Sequence, residues 1–231
     1  MIQLNKQQLA ISAGIGGGVI LLLVLGFTFL GGDEDVINRA TSGSEEQRLA
    51  AAGELGNRDS RESARTLADQ VQDRNTQIAV RSIVSLRRHE RVREHSDAIV
   101  KATRDQRPQV REAAAAAMPS LKEKADRPVL RNMITNRREE STIRAAAASS
   151  LGKLQDWDSI PTLIDALSDP NPLVRGRAHA SLVKITGRNY GFKANAPLSE
   201  RNRVIARLRA VNWEAQRPAH EAYMRTMNKE N

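Results

Sequence analysis

The chain has 231 residues, a formal charge of +9, 3% aromatic residues and no cysteine. Lack of cysteine excludes disulfides, thiolate metal sites and thiol catalysis, and a core poor in aromatics must be built from alanine and aliphatic side chains, which suits closely packed helices. Residues 33–80 carry 6 basic and 10 acidic side chains while 81–231 carry 29 and 17, so the later part fits an acidic partner, nucleic acid or anionic lipid.

Residues 1–10 form a short tail. From Gln7 to Gly32 nothing is charged, and 11-ISAGIGGGVILLLVLGFTFL-30 has no polar face. A helix of that length, at about 1.5 Å per residue, spans roughly 30 Å, the hydrocarbon thickness of a bilayer. Residues 11–30 are therefore predicted to be a single transmembrane anchor. A cleaved secretory signal is the competing reading; it needs small residues at −3 and −1, and the pairs on offer, Phe29/Gly31 and Leu30/Gly32, put a bulky residue at −3. Lys6 and the amino group before the span balance Arg39 and Arg48 after it. The short tail and Asp33-Glu34-Asp35 turn the expectation toward a folded part outside the cytoplasm, periplasmic in a double-membrane bacterium. Gly14 and Gly18, four apart, would let two anchors pack closely as a homodimer.

Beyond the anchor the sequence repeats. An apolar pair four residues apart recurs as Val36/Ala40, Leu67/Val71, Ile99/Thr103, Leu130/Ile134 and Leu163/Leu167. Each pair precedes a second apolar run ending on Leu55, Leu86, Met118, Leu151 or Leu182, at steps of 31, 32, 33 and 31. Seven residues before each of these lies a slot held by Arg48, Ala79, Arg111, Arg144 and Arg175. Two helices per period of about 32 residues make a helical hairpin that buries its apolar side only against its neighbours. Asp126 before Pro128, and Asp158-Ser159 before Pro161, are expected as helix caps. Pro119 is expected to cut or kink its helix, and 169-DPNP-172 to force a turn between helices.

The turn carries a further regularity. Asp73, Asp105 and Asp169 each lie six residues before the slot, and Arg138 replaces the acid in the copy of Arg144. An Asp there can accept amide hydrogen bonds and pair with an Arg, its own or its neighbour's. Asp105, Arg111, Arg144, Asp169 and Arg175 are therefore expected to form a structural ladder. Asp169-Pro170, Val174-Arg175, Ala178 and Leu182, with Val110-Arg111-Ala114 and Ile143-Arg144-Ala145, resemble the HEAT repeat, in the short form named for phycobilisome lyases. The resemblance implies an all-α fold, a right-handed α-solenoid of about five hairpins over residues 31–187, and is nearly silent about activity. The Trp…Leu-Gly…Tyr signature of tetratricopeptide repeats and the Thr-Pro-Leu-His of ankyrin are missing. The alanine runs 113–117 and 145–148 fit closely stacked second helices.

Residues 188–213 are expected to be a loop and a capping helix, with Ser199 as N-cap, Val204, Leu208 and Val211 along its apolar stripe, and Trp213 closing the end. Residues 214–231 are expected to be a tail with a short helix from about Pro218, placing Ala219, Tyr223 and Met227 on one face.

No chemistry stands out. Deoxyhypusine hydroxylase, another HEAT-like family, binds iron through His-Glu pairs in several repeats; here His89-Glu90 and His220-Glu221 fall at unequal positions, and no metal or cofactor is expected. In 89-HERVREH-95, Arg93 stands where a zinc-binding helix would need its second His. Phosphate-binding glycine loops and nucleophile elbows are missing, so the expectation is a non-enzyme. What remains is binding: a membrane-tethered scaffold for protein–protein interaction, with Arg81, Arg87, Arg88, Arg137, Arg138 and Arg177 as candidate contacts. Nucleic acid or anionic lipid is the alternative partner, weakened by the scarcity of aromatics that single strands stack on.

Overall fold

The computed structural model describes residues 32–123 and 126–227. The expected anchor over 11–30, with Gly14 and Gly18, lies outside them, as do the side chains of Tyr223 and Met227. Among the described residues no helix is long and apolar enough to cross a membrane.

The described residues form twelve α-helices. In chain order these are α1 Asp33–Ser42, α2 Glu45–Leu55, α3 Arg61–Gln70, α4 Thr76–Leu86, α5 Ser96–Ala102, α6 Pro108–Leu121, α7 Arg127–Thr135, α8 Ser141–Lys153, α9 Ile160–Ala166, α10 Pro172–Thr186, α11 Leu198–Arg209 and α12 Trp213–Met227. Helices α1 to α10 make five hairpins. The even helices stack in order from α2 to α10, each packed against the even helix of the next hairpin and its own odd partner.

The apolar repeat is the core. Leu55, Leu86, Leu151 and Leu182 are fully buried and Met118 nearly so, as are the five pairs on the odd helices. Each such side chain contributes about 1.5–3 kcal/mol of burial, but a lone hairpin has nothing to bury it against, so the stack folds as one continuous core. Starts are set locally. A capping box joins Ser44 and Gln47 ahead of α2, Asn75 caps α4, Asn171 caps α10, and Pro108 and Pro172 open α6 and α10 with a residue whose missing N–H costs nothing there.

Several local expectations are corrected. Asp126 and Ser159 hold the N-cap positions of α7 and α9 without side-chain cap bonds. The Ser159 hydroxyl donates instead to the Asp156 carbonyl, and Asp158 is taken up by Arg217. Helix α11 starts at Leu198 behind Pro197, so Ser199 is inside it. Pro119 neither cuts nor ends α6, which runs on to Leu121 because burial of Met118 and Leu121 outweighs one lost bond in the last turn; Lys122 then stops it at φ 57°. The tail helix begins at Trp213 rather than Pro218: Trp213 meets Trp157 and Tyr190 edge-on at 6.3 and 6.1 Å and donates through Nε1 to the Leu208 carbonyl, which anchors the turn upstream of the proline.

Candidate interaction surface

The turns joining odd to even helices line one edge of the stack, and there the ladder forms with a register the spacing alone does not give. Each slot arginine uses Nη1 to bind carbonyls of its own turn: Arg48 to Gly43, Arg111 to Asp105 and Gln106, Arg144 to Glu139, and Arg175 to Asp169 and Pro170. Its remaining nitrogens reach the carboxylate of the next turn. Arg48 bonds Asp73 at 3.2 Å, Arg111 grips Glu139 at 3.0 and 2.8 Å, and Arg144 grips Asp169 at 3.0 and 2.9 Å. Asp105/Arg111 and Asp169/Arg175 thus meet through the main-chain carbonyl of the Asp, while the carboxylates serve other arginines. A carboxylate also ties its own turn: Asp73, Asp105 and Asp169 each accept from the amide two residues on.

Two departures from the repeat are compensated in place. Where Arg138 replaces the acid, Glu139 one residue later accepts from Arg111. Where Ala79 replaces the arginine, Arg107 enters from the following turn. It donates to the Asp73 and Arg74 carbonyls at 2.7 and 3.1 Å and to both oxygens of Asp105, which are the contacts an arginine at position 79 would make. At the last slot no further turn exists, and Arg175 donates Nε to the Ala194 carbonyl at 2.7 Å. The hydrogen bonds Arg111 donates to the Glu139 carboxylate raise the Arg111 pKa, while burial, followed by the charge of Arg201, lowers that of Arg175.

A second ladder escaped the sequence reading. The Ser150 hydroxyl donates to the Ala115 carbonyl at 2.7 Å and Ser181 to Ala148 at 2.8 Å, both between neighbouring even helices. Asp156, buried at the end of α8, receives Arg127 at 3.1 Å and Arg131 at 2.6 Å from α7. The spacing of Ser150 and Ser181, 31 residues apart and each one before the repeated leucine, was a signal in plain view.

The candidate contact residues do not converge on one site. Arg137 and Arg138 precede α8 on the turn edge; Arg137 pairs with Asp169 at 2.7 Å, and Arg138 is exposed. Arg87 and Arg88 follow α4 at the opposite edge. Arg81 lies across the neighbouring helix, over Gly53, and it shares with Arg177 the outward face of the even layer. That face comprises the positions two before and two, five and nine after each slot. At 100° per residue these fall within about 60° of one another, turned away from the buried leucine. Its middle is small: Ala113, Ala116, Ala146, Ser149 and Ala180 are partly or fully exposed. The histidines are dispersed. His89 is buried with Nδ1 accepting from the Arg91 amide, His179 packs on Phe192 at 5.6 Å, and His220 stacks on Trp157 at 4.6 Å.

Comparison with known proteins agrees with this architecture. A family model described as HEAT repeats matches residues 128–201. A search of curated proteins returns no match. Among solved structures, the complex of CpcE and CpcF of phycocyanin lyase from Nostoc sp. PCC7120 is similar, with a TM-score of 0.58 and 20% identity over 66% of this chain. This chain covers 64% of the length of that one. An engineered protein is similar at a TM-score of 0.50 and 15% identity, over 78% of this chain and 86% of the other. At these identities the likeness is one of fold. The repeat spacing, the stacked hairpins and the family-model match over 128–201 together give the chain a HEAT-like helical repeat fold.

Proposed function

We propose that the protein is a membrane-tethered, non-catalytic scaffold that binds other proteins through its helical stack, held by residues 11–30 with the stack outside the cytoplasm. The observation that carries the binding role is the outward face of the even helices. It repeats through all five hairpins, with a small-residue middle that no described element covers. Tethering is supported by the uncharged stretch from Gln7 to Gly32, which ends where α1 begins. Crosslinking in native membranes tests the role: a photoreactive residue at Thr142, exposed on that face, is expected to form a discrete adduct with a second protein. Absence of adducts there and at exposed Arg138 sinks the scaffold reading. Extraction at alkaline pH and protease accessibility of intact cells test anchor and orientation.

One feature favours a second reading, binding of nucleic acid or anionic lipid. A hollow of about 490 Å³ between the 191–196 loop and α11 is lined by Lys193, Arg203 and Arg207, none of them paired among the described residues. Titration of the detergent-solubilised chain with duplex, single strand and acidic vesicles at rising salt decides it. Binding that falls steeply with salt whatever the sequence supports this reading.

A further inference from the structure

Six arginines on the turn edge and between paired helices, Arg39, Arg48, Arg107, Arg111, Arg131 and Arg144, each face a carboxylate, whereas exposed Arg74, Arg104 and Arg138 of the turns make no ion pair among the described residues. On the outward face of the even layer five cations likewise stand without a carboxylate. Arg81, Arg88, Lys153, Arg177 and Lys184 are exposed, and none makes an ion pair among the described residues. The same face positions carry a single carboxylate, Glu46, in the acidic first copy.

From this we infer that the face docks an acidic protein segment lying across the even helices. The inference rests on the scaffold reading and gives the partner its chemistry. Three of the cations, Arg88, Lys153 and Lys184, sit at one position of the repeat, nine residues past the slot, and so form a rail along the edge opposite the ladder. Arg81 and Arg177, two past the slot, stand toward the ends of the small-residue middle. Carboxylates spaced along a chain would meet the rail, and the alternate side chains would rest on Ala113, Ala116 and Ala146. Helix axes pack about 8–10 Å apart, so five helices span about 36 Å, the reach of about eleven extended residues. A protein segment fits better than a nucleic acid strand. None of the face positions holds Phe, Tyr or Trp to stack a base, and Trp157, Tyr190, Phe192 and Trp213 belong to the C-terminal end of the stack.

The test uses the full chain in detergent and a fluorescent peptide of about sixteen residues alternating Glu with Ala or Val, read by anisotropy. A Lys-for-Glu peptide and a single-stranded oligonucleotide of similar length serve as competing probes. The acidic peptide is expected to bind, and Arg177→Glu with Lys184→Glu to weaken it at least tenfold. Lys153→Glu is a second, independent reversal with the same sign. Arg65→Glu, exposed on the odd helix α3 and outside the candidate contacts, should leave binding unchanged. All four positions are exposed, and matching thermal melts verify the fold. No binding of the acidic peptide, or binding indifferent to the reversals, overturns the inference. So does tighter binding of the oligonucleotide through the same residues. If the Thr142 crosslink fails while the Arg138 site captures a protein, the scaffold stands and this face assignment falls.

Discussion

Asp169 gathers more of the structure than any other side chain on the turn edge: its two oxygens accept from Arg137, both arms of Arg144 and the Asn171 amide. Buried ion pairs are not strongly stabilising against an apolar replacement, but removal of one partner strands the other, at about 3–5 kcal/mol. Arg144→Ala is therefore expected to lower the melting temperature sharply. Arg175→Ala should lower it less, since Arg175 meets only carbonyls. Equal losses in the two variants would show that the carboxylate rung adds nothing. The Arg107 substitution gives a sharper test. Arg107→Ala empties the place of the missing slot arginine and leaves Asp105 without its main partner, and Ala79→Arg in that background should recover most of the lost stability, because its nitrogens would approach the same carbonyls from the helix side. Urea denaturation of the two variants decides it; a double variant no more stable than Arg107→Ala alone refutes the equivalence. The ladder was legible as a pattern of Asp and Arg. Its register was not, because spacing in one turn cannot tell whether an arginine reaches back or forward by one copy. Arg107 was invisible for a related reason: it compensates in space for a residue 28 positions away.

Between elements, glycine and serine set how closely the even helices approach. A methyl on Gly152 would fall 2.7 Å from the Ser181 Cβ and 2.9 Å from its Cα. Neither atom can move without shifting α10, so Gly152→Ala should push the two helices apart, weaken the Ser181–Ala148 bond and cost about 1–3 kcal/mol despite the better helix propensity. Gly53 is the contrast. There the added methyl meets the Arg81 guanidinium at 2.6 Å, the end of a flexible side chain. Arg81 can swing outward, and Gly53→Ala is expected to be neutral or stabilising by up to about 1 kcal/mol. Thermal melts should show a loss for Gly152→Ala and none for Gly53→Ala; a large loss for both would mean that Arg81 is held where it lies. The cap at the C-terminal end adds a pH dependence. Phe192 and Ala194 of the 188–197 loop cover the side of α10 that a sixth even helix would take, and His179 lies beneath them. Burial lowers its pKa from the ordinary 6.5. Its neutral form is favoured in the fold, so its contribution is complete above about pH 6.5 and is lost as pH falls below that, when the unfolded chain takes up the proton first. His179→Gln should flatten the difference in melting temperature between pH 7.5 and pH 5, and an unchanged difference would clear His179 of the effect. The helix pairs themselves were the most legible part of the chain, since each apolar position recurs five times. The C-terminal elements were the least legible. Trp213 and His220 gain their contacts with Trp157 by tertiary docking, and neither follows the repeat.

At the scale of the molecule, each hairpin touches chiefly its sequence neighbours, so stability should be close to a sum of hairpin and interface contributions. That makes position along the stack, more than burial, decide how far damage spreads. Leu55 and Met118 are both buried and hold the same place in their hairpins. Truncation of either to alanine leaves a cavity worth about 2–5 kcal/mol. Leu55→Ala weakens a hairpin with one described neighbour. Hydrogen exchange should quicken mainly across α1 and α2, leaving α8 and α10 protected. Met118→Ala weakens the central hairpin, which joins α4 to α8, and should loosen both flanks and divide one unfolding transition into two. The two halves then unfold on their own terms. The later half, with Arg144 on Asp169 and the two serine bonds, should be the last to exchange. Uniform acceleration over all described helices in both variants would mean that the chain folds as a single globular unit, and that the repeat governs its shape without governing its cooperativity.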